Sequence, residues 1–506
     1  LSEIETDIDI KEGQPRYLLS LSWQSVAYGV GVFGRQVIVY LTLPLFTMKM
    51  RQEEFGVISV MVAFLSFIDM LSNAGLPAAT FRLYNDTSIS SRKSQILGSS
   101  LILFIIFSVV MVLAVWISAG QLAFWLLGNK KYTNILRLVS VILVFTTLNY
   151  YGYVLLRIQV RPVAFSLQNL FQAVVQVGLA LWFVISFNLG SFGYWVGQLG
   201  GALIGLLLMI YLVRNTLELN VTGDALRQLT AYALPMLPAS LSLWALKLVD
   251  RSLISSFSGL ESVAIYEIGY KVGTLTGLVT LPFIVAWPQF AFSRIHRPDA
   301  PLLFRNVLTI LAAGCTFISV GVIAFSSELI GLLAPPSYGA AVAVVPWVAI
   351  SQIAWGVYPV LSLGPKIAKR TWHIGWTTGV AAVINILINI ILIPPLGILG
   401  AAIATLISYI LLAIIVYVVG QRFYSFPIDF VRLWKLGLAF LITSFVVIQL
   451  SNLALPPWES MTLRLLGLSL FPLILIISKF VTFDQIRALL FFSADAVKET
   501  IRPLNY

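Results

Sequence analysis

The chain has 506 residues, 59% hydrophobic and only 10% charged, with a mean hydropathy of +0.94 and a net charge of +11. That balance excludes a soluble domain, because apolar runs near the length of a membrane-crossing helix recur along the chain. Strand alternation is missing, which argues against an outer-membrane barrel. In hydrocarbon, helices then pair the backbone amides internally.

In chain order, an acidic polar tail occupies residues 1–17. Six spans are predicted at 18–48, 55–80, 96–119, 135–156, 163–187 and 192–213, forming an N-terminal bundle over 18–213. A polar linker at 214–229 separates them from a second bundle over 230–420, with spans at 231–257, 263–287, 302–325, 341–363, 372–393 and 398–419. Two additional spans at 431–450 and 461–477 fall within 421–480, and residues 481–506 form a tail in which 481–497 reads as an interfacial amphipathic helix. The fold class expected is therefore all-α and polytopic, with about 14 transmembrane helices.

Lys and Arg set the orientation. With the N-terminus inside, 22 of the 32 basic residues fall on inner loops and span ends. Six lie outside (Lys49, Arg51, Lys130, Lys131, Arg137 and Arg464). Both termini are then cytoplasmic, and the net positive charge calls for no nucleic-acid partner. One cysteine, Cys315, and two separated histidines, His296 and His373, give no basis for a disulfide within the chain or for a metal site. No sizeable loop offers room for a catalytic module, so the chain is not expected to be an enzyme.

Seven charges interrupt the apolar spans: Arg35 in the first, Asp69 in the second, Lys247, Asp250 and Arg251 in the seventh, Glu267 and Lys271 in the eighth. A charge at the bilayer centre costs about 2.5–3.5 kcal/mol even on mild scales, so it faces a partner or an aqueous cavity. Four of the seven are basic, which points to an anionic ligand. The spans that carry them are related by an internal repeat. Glu53-Glu54-Phe55-Gly56-Val57 matches Glu261-Ser262-Val263-Ala264-Ile265, and Leu189-Gly190-Ser191-Phe192-Gly193 matches Leu396-Gly397-Ile398-Leu399-Gly400, at an offset of 207–208. Pro77-Ala78-Ala79-Thr80-Phe81 echoes Pro288-Gln289-Phe290-Ala291-Phe292 after a small shift. An even number of spans per half makes the repeat parallel, an arrangement that places a substrate site between halves that rock.

Phe33-Gly34-Arg35 followed by Arg51-Gln52-Glu53-Glu54-Phe55-Gly56 resembles the start of bacterial oligosaccharide flippases of the multidrug/oligosaccharidyl-lipid/polysaccharide exporter superfamily, the O-antigen type. Leu248-Val249-Asp250-Arg251 with Val263-Ala264-Ile265-Tyr266 is similar to that family's Asp-Arg and Gly-x-Tyr region, Ala264 standing where glycine is often found. Asn385 to Asn389 and the run Ile393-Pro394-Pro395-Leu396-Gly397 resemble its junction of spans eleven and twelve. The resemblance implies two six-helix bundles around a V-shaped cavity that opens to either side in turn. It also implies a polyprenyl-diphosphate-linked glycan as substrate, membrane lipids as surroundings, and a polysaccharide polymerase or other assembly proteins as partners.

Arg35, Lys247, Arg251 and Lys271 are the candidate phosphate-binding residues, and Gln168, Gln172 and Gln176, one per helical turn, the candidates for sugar hydroxyls. Each has a structural alternative. Arg35 could be answered by Asp69 at similar depth, Arg251 could snorkel to the outer interface, and Glu267 with Lys271 could be a local i,i+4 pair. The glutamines, like Asn385 and Asn389 on the repeat-related span, could bond helix to helix. Asp69, Asp250 and Glu267 are candidates for proton or sodium coupling; no cofactor is expected. A multidrug antiporter and a lipid-linked peptidoglycan-precursor flippase of the same superfamily are the rival functions, with a membrane-embedded glycan polymerase a more distant one.

Overall fold

A computed structural model describes residues 28–480 apart from 217, 218, 279, 371 and 454. The expected start of the first span, the acidic tail and the helix predicted at 481–497 lie outside the described residues. Among the described residues every regular element is helical, and 13 helices are long and apolar enough to cross a membrane.

The N-terminal half contains α1 (Tyr28–Lys49), α2 (Gln52–Asn73), α3 (Leu76–Asn85), α4 (Ser90–Leu127), α5 (Thr133–Ile158), α6 (Pro162–Ser186) and α7 (Gly190–Val213). A short helix, α8 (Gly223–Ala233), leads into the C-terminal half. That half contains α9 (Leu237–Ser258), α10 (Leu260–Gly273), α11 (Thr280–Phe292), α12 (Ala300–Ala324), α13 (Ser326–Leu333), α14 (Val345–Leu361), α15 (Leu363–Ile367), α16 (Trp372–Leu396) and α17 (Ile398–Gln421). Three helices follow: α18 (Phe430–Ser451), α19 (Pro457–Leu468) and α20 (Leu470–Ile477).

The repeat persists in the helix bounds. Helices α7 and α17 are offset by 208 residues at both ends, and α2 and α10 begin at residues 52 and 260. The halves differ in where their second span breaks. In the N-terminal half the helix stops at Asn73, because Ala74 (φ 44°) and Gly75 (φ 76°) are left-handed, and α3 resumes beyond them. In the C-terminal half the break comes earlier, at a 3-10 turn over Thr274–Leu278 with Gly277 inside it, glycine being a poor helix former. The continuous span expected at 263–287 is therefore two helices, each too short alone, and together they supply the fourteenth crossing.

Taking the sides from the Lys and Arg distribution, the halves close on each other at the outer end. Helices α2 and α10, equivalent in the repeat, cross there so closely that a Cβ on Gly56 would lie 1.9 Å from the Leu260 carbonyl oxygen. Around this crossing Leu43, Phe46, Phe55 and Ile58 pack with Ala264, Ile268, Tyr338 and Val345 in one apolar cluster. Gln52 donates to the Ser337 carbonyl (2.8 Å), and the Thr47 hydroxyl donates to that of Leu333 (2.6 Å). Burying this apolar surface contributes about 25 cal/mol per Å².

At the other end from this crossing, the linker contributes a 3-10 turn over Arg214–Thr216 and, from Gly223, a helix. Helix α8 starts at Thr222, whose hydroxyl accepts from the Ala225 amide, and docks on the N-terminal half through Arg92–Asp224 (2.6 Å) and Arg82 to the Tyr232 hydroxyl (3.4 Å). Helices α18–α20 attach to α12 and α13, where Arg464, 5% exposed, donates to the Ala324 carbonyl and pairs with Glu328. In a Cys315→Ser background, Gln52→Cys and Ser337→Cys should be joined by a short bifunctional maleimide added outside, and Gly56→Leu should reduce the yield severalfold. Equal cross-linking with and without Gly56→Leu would contradict a closure that depends on this crossing.

Candidate functional site

The C-terminal half's charges assemble at the α9–α10 contact. Arg251 is 2% exposed and is held by two carboxylates: its Nη1 donates to Asp250 (2.7 Å) and its Nε to Glu267 (3.1 Å). Nη1 also donates to the Lys247 carbonyl at 2.8 Å, the Tyr266 hydroxyl donates to the other oxygen of Asp250, and the guanidinium lies 4.1 Å from the Tyr270 ring centroid. Lys271 pairs with the second oxygen of Glu267 at 3.3 Å. Adjacent helices and i,i+4 spacing produce this cluster. Residues 250 and 251 start from one turn of α9, and 267 and 271 from successive turns of α10.

Depth separates these groups. At 1.5 Å per residue, Arg251 and Glu267 lie about 10 Å from the outer ends of their helices, and Lys247 and Lys271 about 16 Å. Arg251 does not snorkel outward; it is enclosed. Two carboxylates and the Lys247 carbonyl satisfy it, so it offers no free face to a ligand in this conformation. Lys247 is different. Its side chain is exposed, and among the described residues its ammonium has no carboxylate, lying instead 4.4 Å from the ring centroid of Trp355 on α14.

Arg35 is the second cation without an acid. It is half-buried on α1 and donates to the Gln176 side-chain oxygen (3.1 Å). The pairing with Asp69 considered from sequence is not formed: Asp69 accepts from Asn73 (2.9 Å), and among the described residues neither Arg35 nor Asp69 enters an ion pair. Helix α1 lies where both halves meet. Gly31 abuts Ser166 on α6, while the Tyr40 hydroxyl donates to the Lys271 carbonyl (3.2 Å) and lies 5.5 Å by ring centroid from the Lys271 ammonium.

The glutamine stripe is buried and chiefly joins helices. Gln168 donates to the Gly205 carbonyl on α7 (2.6 Å), and Gln172 accepts from Tyr153 on α5 (3.0 Å). Gly201 and Gly205 leave the room, since a Cβ on either would run into Gln176 or Gln172. Gln176 alone reaches a charge, that of Arg35. The repeat-related Asn385 likewise donates to Ser408 across α16 and α17 (3.2 Å). Sequence reasoning missed Trp355 and Tyr358, whose rings stack at 5.4 Å beside Lys247. A Trp-x-x-Tyr spacing in an apolar span carries no signal until a cation from another helix falls against it. Trp244, singled out beside the charges, packs on Phe67 and donates to the Ala63 carbonyl (3.0 Å), linking α9 to α2.

Three kinds of comparison bear on this arrangement. The polysaccharide biosynthesis protein family matches residues 23–295. A probable flippase, AglR, of Haloferax volcanii is 29% identical over 171 residues, which is 32% of this chain and 35% of that relative's length. Among solved structures, the lipid II flippase MurJ in an inward closed conformation matches with a TM-score of 0.74 at 16% identity, over 89% of this chain and 98% of that one. An inward-facing multidrug resistance transporter of the MATE family in the MOP superfamily gives 0.67 at 15% identity, over 76% and 94%. An outward-facing conformation of a transporter of the same family gives 0.56 at 13% identity, over 80% and 95%. At these identities the structures establish the fold, and this chain shares it.

The partition of roles predicts different failures. Arg251→Ala leaves Asp250 buried without its cation and Glu267 with Lys271 alone, and should cost about 3–5 kcal/mol, read as loss of the folded peak or a large fall in thermal stability of the purified protein. Lys247→Ala removes an exposed ammonium and should change stability by no more than about 1 kcal/mol.

Proposed function

We propose, on the premise that the chain belongs to the polysaccharide biosynthesis protein family, that it flips a polyprenyl-diphosphate-linked glycan from the cytoplasmic to the outer leaflet by alternating access. The observation that carries this reading is the pair Arg35 and Lys247. Of the four bases within the spans they are the two that no carboxylate answers among the described residues, they come from repeat-equivalent spans of the two halves, and they lie inward of the sealed outer end.

A diphosphate supplies the charge they lack. Arg35 presents a planar fork suited to two phosphate oxygens, and Lys247 a compact point charge. Lys271, sharing Glu267, adds a partly neutralised third cation at the same depth as Lys247. Sugars entering with the diphosphate would meet Trp355 and Tyr358, since apolar ring faces stack on aromatic side chains. In the closed-outside state ligand reaches this level from the cytoplasmic side. Opening outward requires α2 and α10 to part at Gly56 and Leu260, and the Arg251 cluster travels as one unit because both its acids lie on α9 and α10. The setting is a multi-pass membrane protein in the cytoplasmic membrane with both described ends inward. A cationic-drug antiporter fits less well, because the unanswered charges near the centre are two bases against the single acid Asp69.

In proteoliposomes, Arg35→Ala and Lys247→Ala should keep the folded yield and slow flipping of a polyprenyl-diphosphate-linked oligosaccharide by about 10–100-fold each, the loss of one charge-assisted contact. Arg35→Lys should recover part of that loss and Gln176→Leu should not mimic it fully. Wild-type flipping rates in both alanine variants would rule the reading out.

A further inference from the structure

We infer that Asp69, Asn73 and Ser72 form a binding site for a small monovalent cation, sodium, at the break between α2 and α3. The inference rests on the alternating-access reading but concerns the ion that accompanies the cycle, not the glycan.

Of the three intramembrane acids, two are committed. Asp250 and Glu267 hold Arg251, and Glu267 also holds Lys271. Among the described residues Asp69 has only the neutral amide of Asn73. That leaves a carboxylate in the bilayer interior without a cation, which is costly unless something positive joins it. On α9, the helix packed along α2 through Trp244, Asp250 and Arg251 hold each other together with Tyr266 and Glu267, and the Lys247 ammonium lies over the Trp355 ring on α14 rather than in an ion pair with Asp69. On α10, Glu267 and Lys271 pair together, and Glu261 sits in the first turn at the opposite end from Asp69.

Two buried oxygen atoms without hydrogen-bond partners lie within about one helical turn of this carboxylate along the chain. Asn73 is 8% exposed; its Nδ2 donates to Asp69 and its Oδ1 has no hydrogen-bond partner. Ser72 is fully buried and its hydroxyl has none either. Their i+3 and i+4 positions put both on the Asp69 face of α2. The helix ends at this point. Ala74 and Gly75 are left-handed, and Pro77 has no amide hydrogen to give the Asn73 carbonyl its helical bond. The last carbonyls of α2 therefore add the negative pole of the helix dipole.

A carboxylate, an amide oxygen, a hydroxyl and helix-end carbonyls are hard ligands of the kind that coordinate sodium at interrupted membrane helices. A single negative charge balances a single positive one. The site also touches the hinge. Helix α3, on the far side of the break, contacts α8 through Arg82 and Tyr232, so a cation that ties the end of α2 stiffens the joint between the outer closure and the cytoplasmic linker.

The test uses the full-length protein purified in nanodiscs. Thermal unfolding is followed in sodium, potassium and choline chloride at equal ionic strength, at two pH values. Sodium should raise Tm saturably by several degrees over choline. Asp69→Asn should abolish the rise, and Ser72→Ala or Asn73→Ala should weaken the sodium concentration dependence about tenfold for each lost ligand. Equal Tm in the three salts, a response to pH alone, or an unchanged sodium response in Asp69→Asn would overturn the site. Should Asp69→Asn fail to fold, an unchanged sodium dependence in Ser72→Ala would overturn it equally. Lys247→Ala separates the two readings: it should lose binding of the lipid-linked glycan and keep the sodium response.

Discussion

Arg251 is enclosed in the membrane by Asp250 on its own helix and Glu267 on the next, and much of the rest follows from how that guanidinium is satisfied. A desolvated ion pair contributes little net stability, yet breaking it leaves a bare charge in a medium that cannot solvate one. The cluster therefore fixes the α9–α10 contact near the outer end, on the same two helices that receive α2 at Gly56. It also consumes the acids. Once both carboxylates are spent on Arg251, Lys247 has none, and its unpaired charge is a direct consequence of the structural pair beside it.

The two halves share helix bounds but not chemistry. In the C-terminal half the second span carries its charges in a closed network and breaks below them at Thr274–Leu278. In the N-terminal half the equivalent span carries a lone acid and breaks beside it at Ala74–Gly75. One half thus provides a rigid charged strut and the other a hinge with unsatisfied oxygens. Parallel repeats give the two halves their common helix bounds, and these local departures give them different charge patterns.

The fold alone does not choose the cargo. A lipid II flippase and multidrug transporters share this architecture at 13–16% identity. Function resides in the side chains placed on such a scaffold. Here those are two bases without acids, an aromatic pair beside one of them, and an acid without a base.

Hydrophobic run length determined the all-helical membrane fold and most span positions, because bilayer thickness sets helix length whatever the packing. Expected and observed bounds agree closely at α7, α17 and α18, where no proline interrupts the helix. The repeat was legible for the same reason, as motifs at span junctions keep their offset. Span eight was not legible: a 3-10 turn at Gly277 depends on tertiary packing that no run of apolar residues records. Charges could be located in the sequence, but not matched. Spacing shows that residues 247, 250 and 251 are neighbours on one helix, whereas the rotation of α9 against α10 decides that Arg251 takes both acids and Lys247 is left exposed. The same holds for Arg35, which depth alone would pair with Asp69 and which helix α6 instead gives to Gln176. Composition determined how many charges enter the membrane; only the tertiary structure decided which remain unanswered, since pairing depends on side-chain direction across helices distant in sequence.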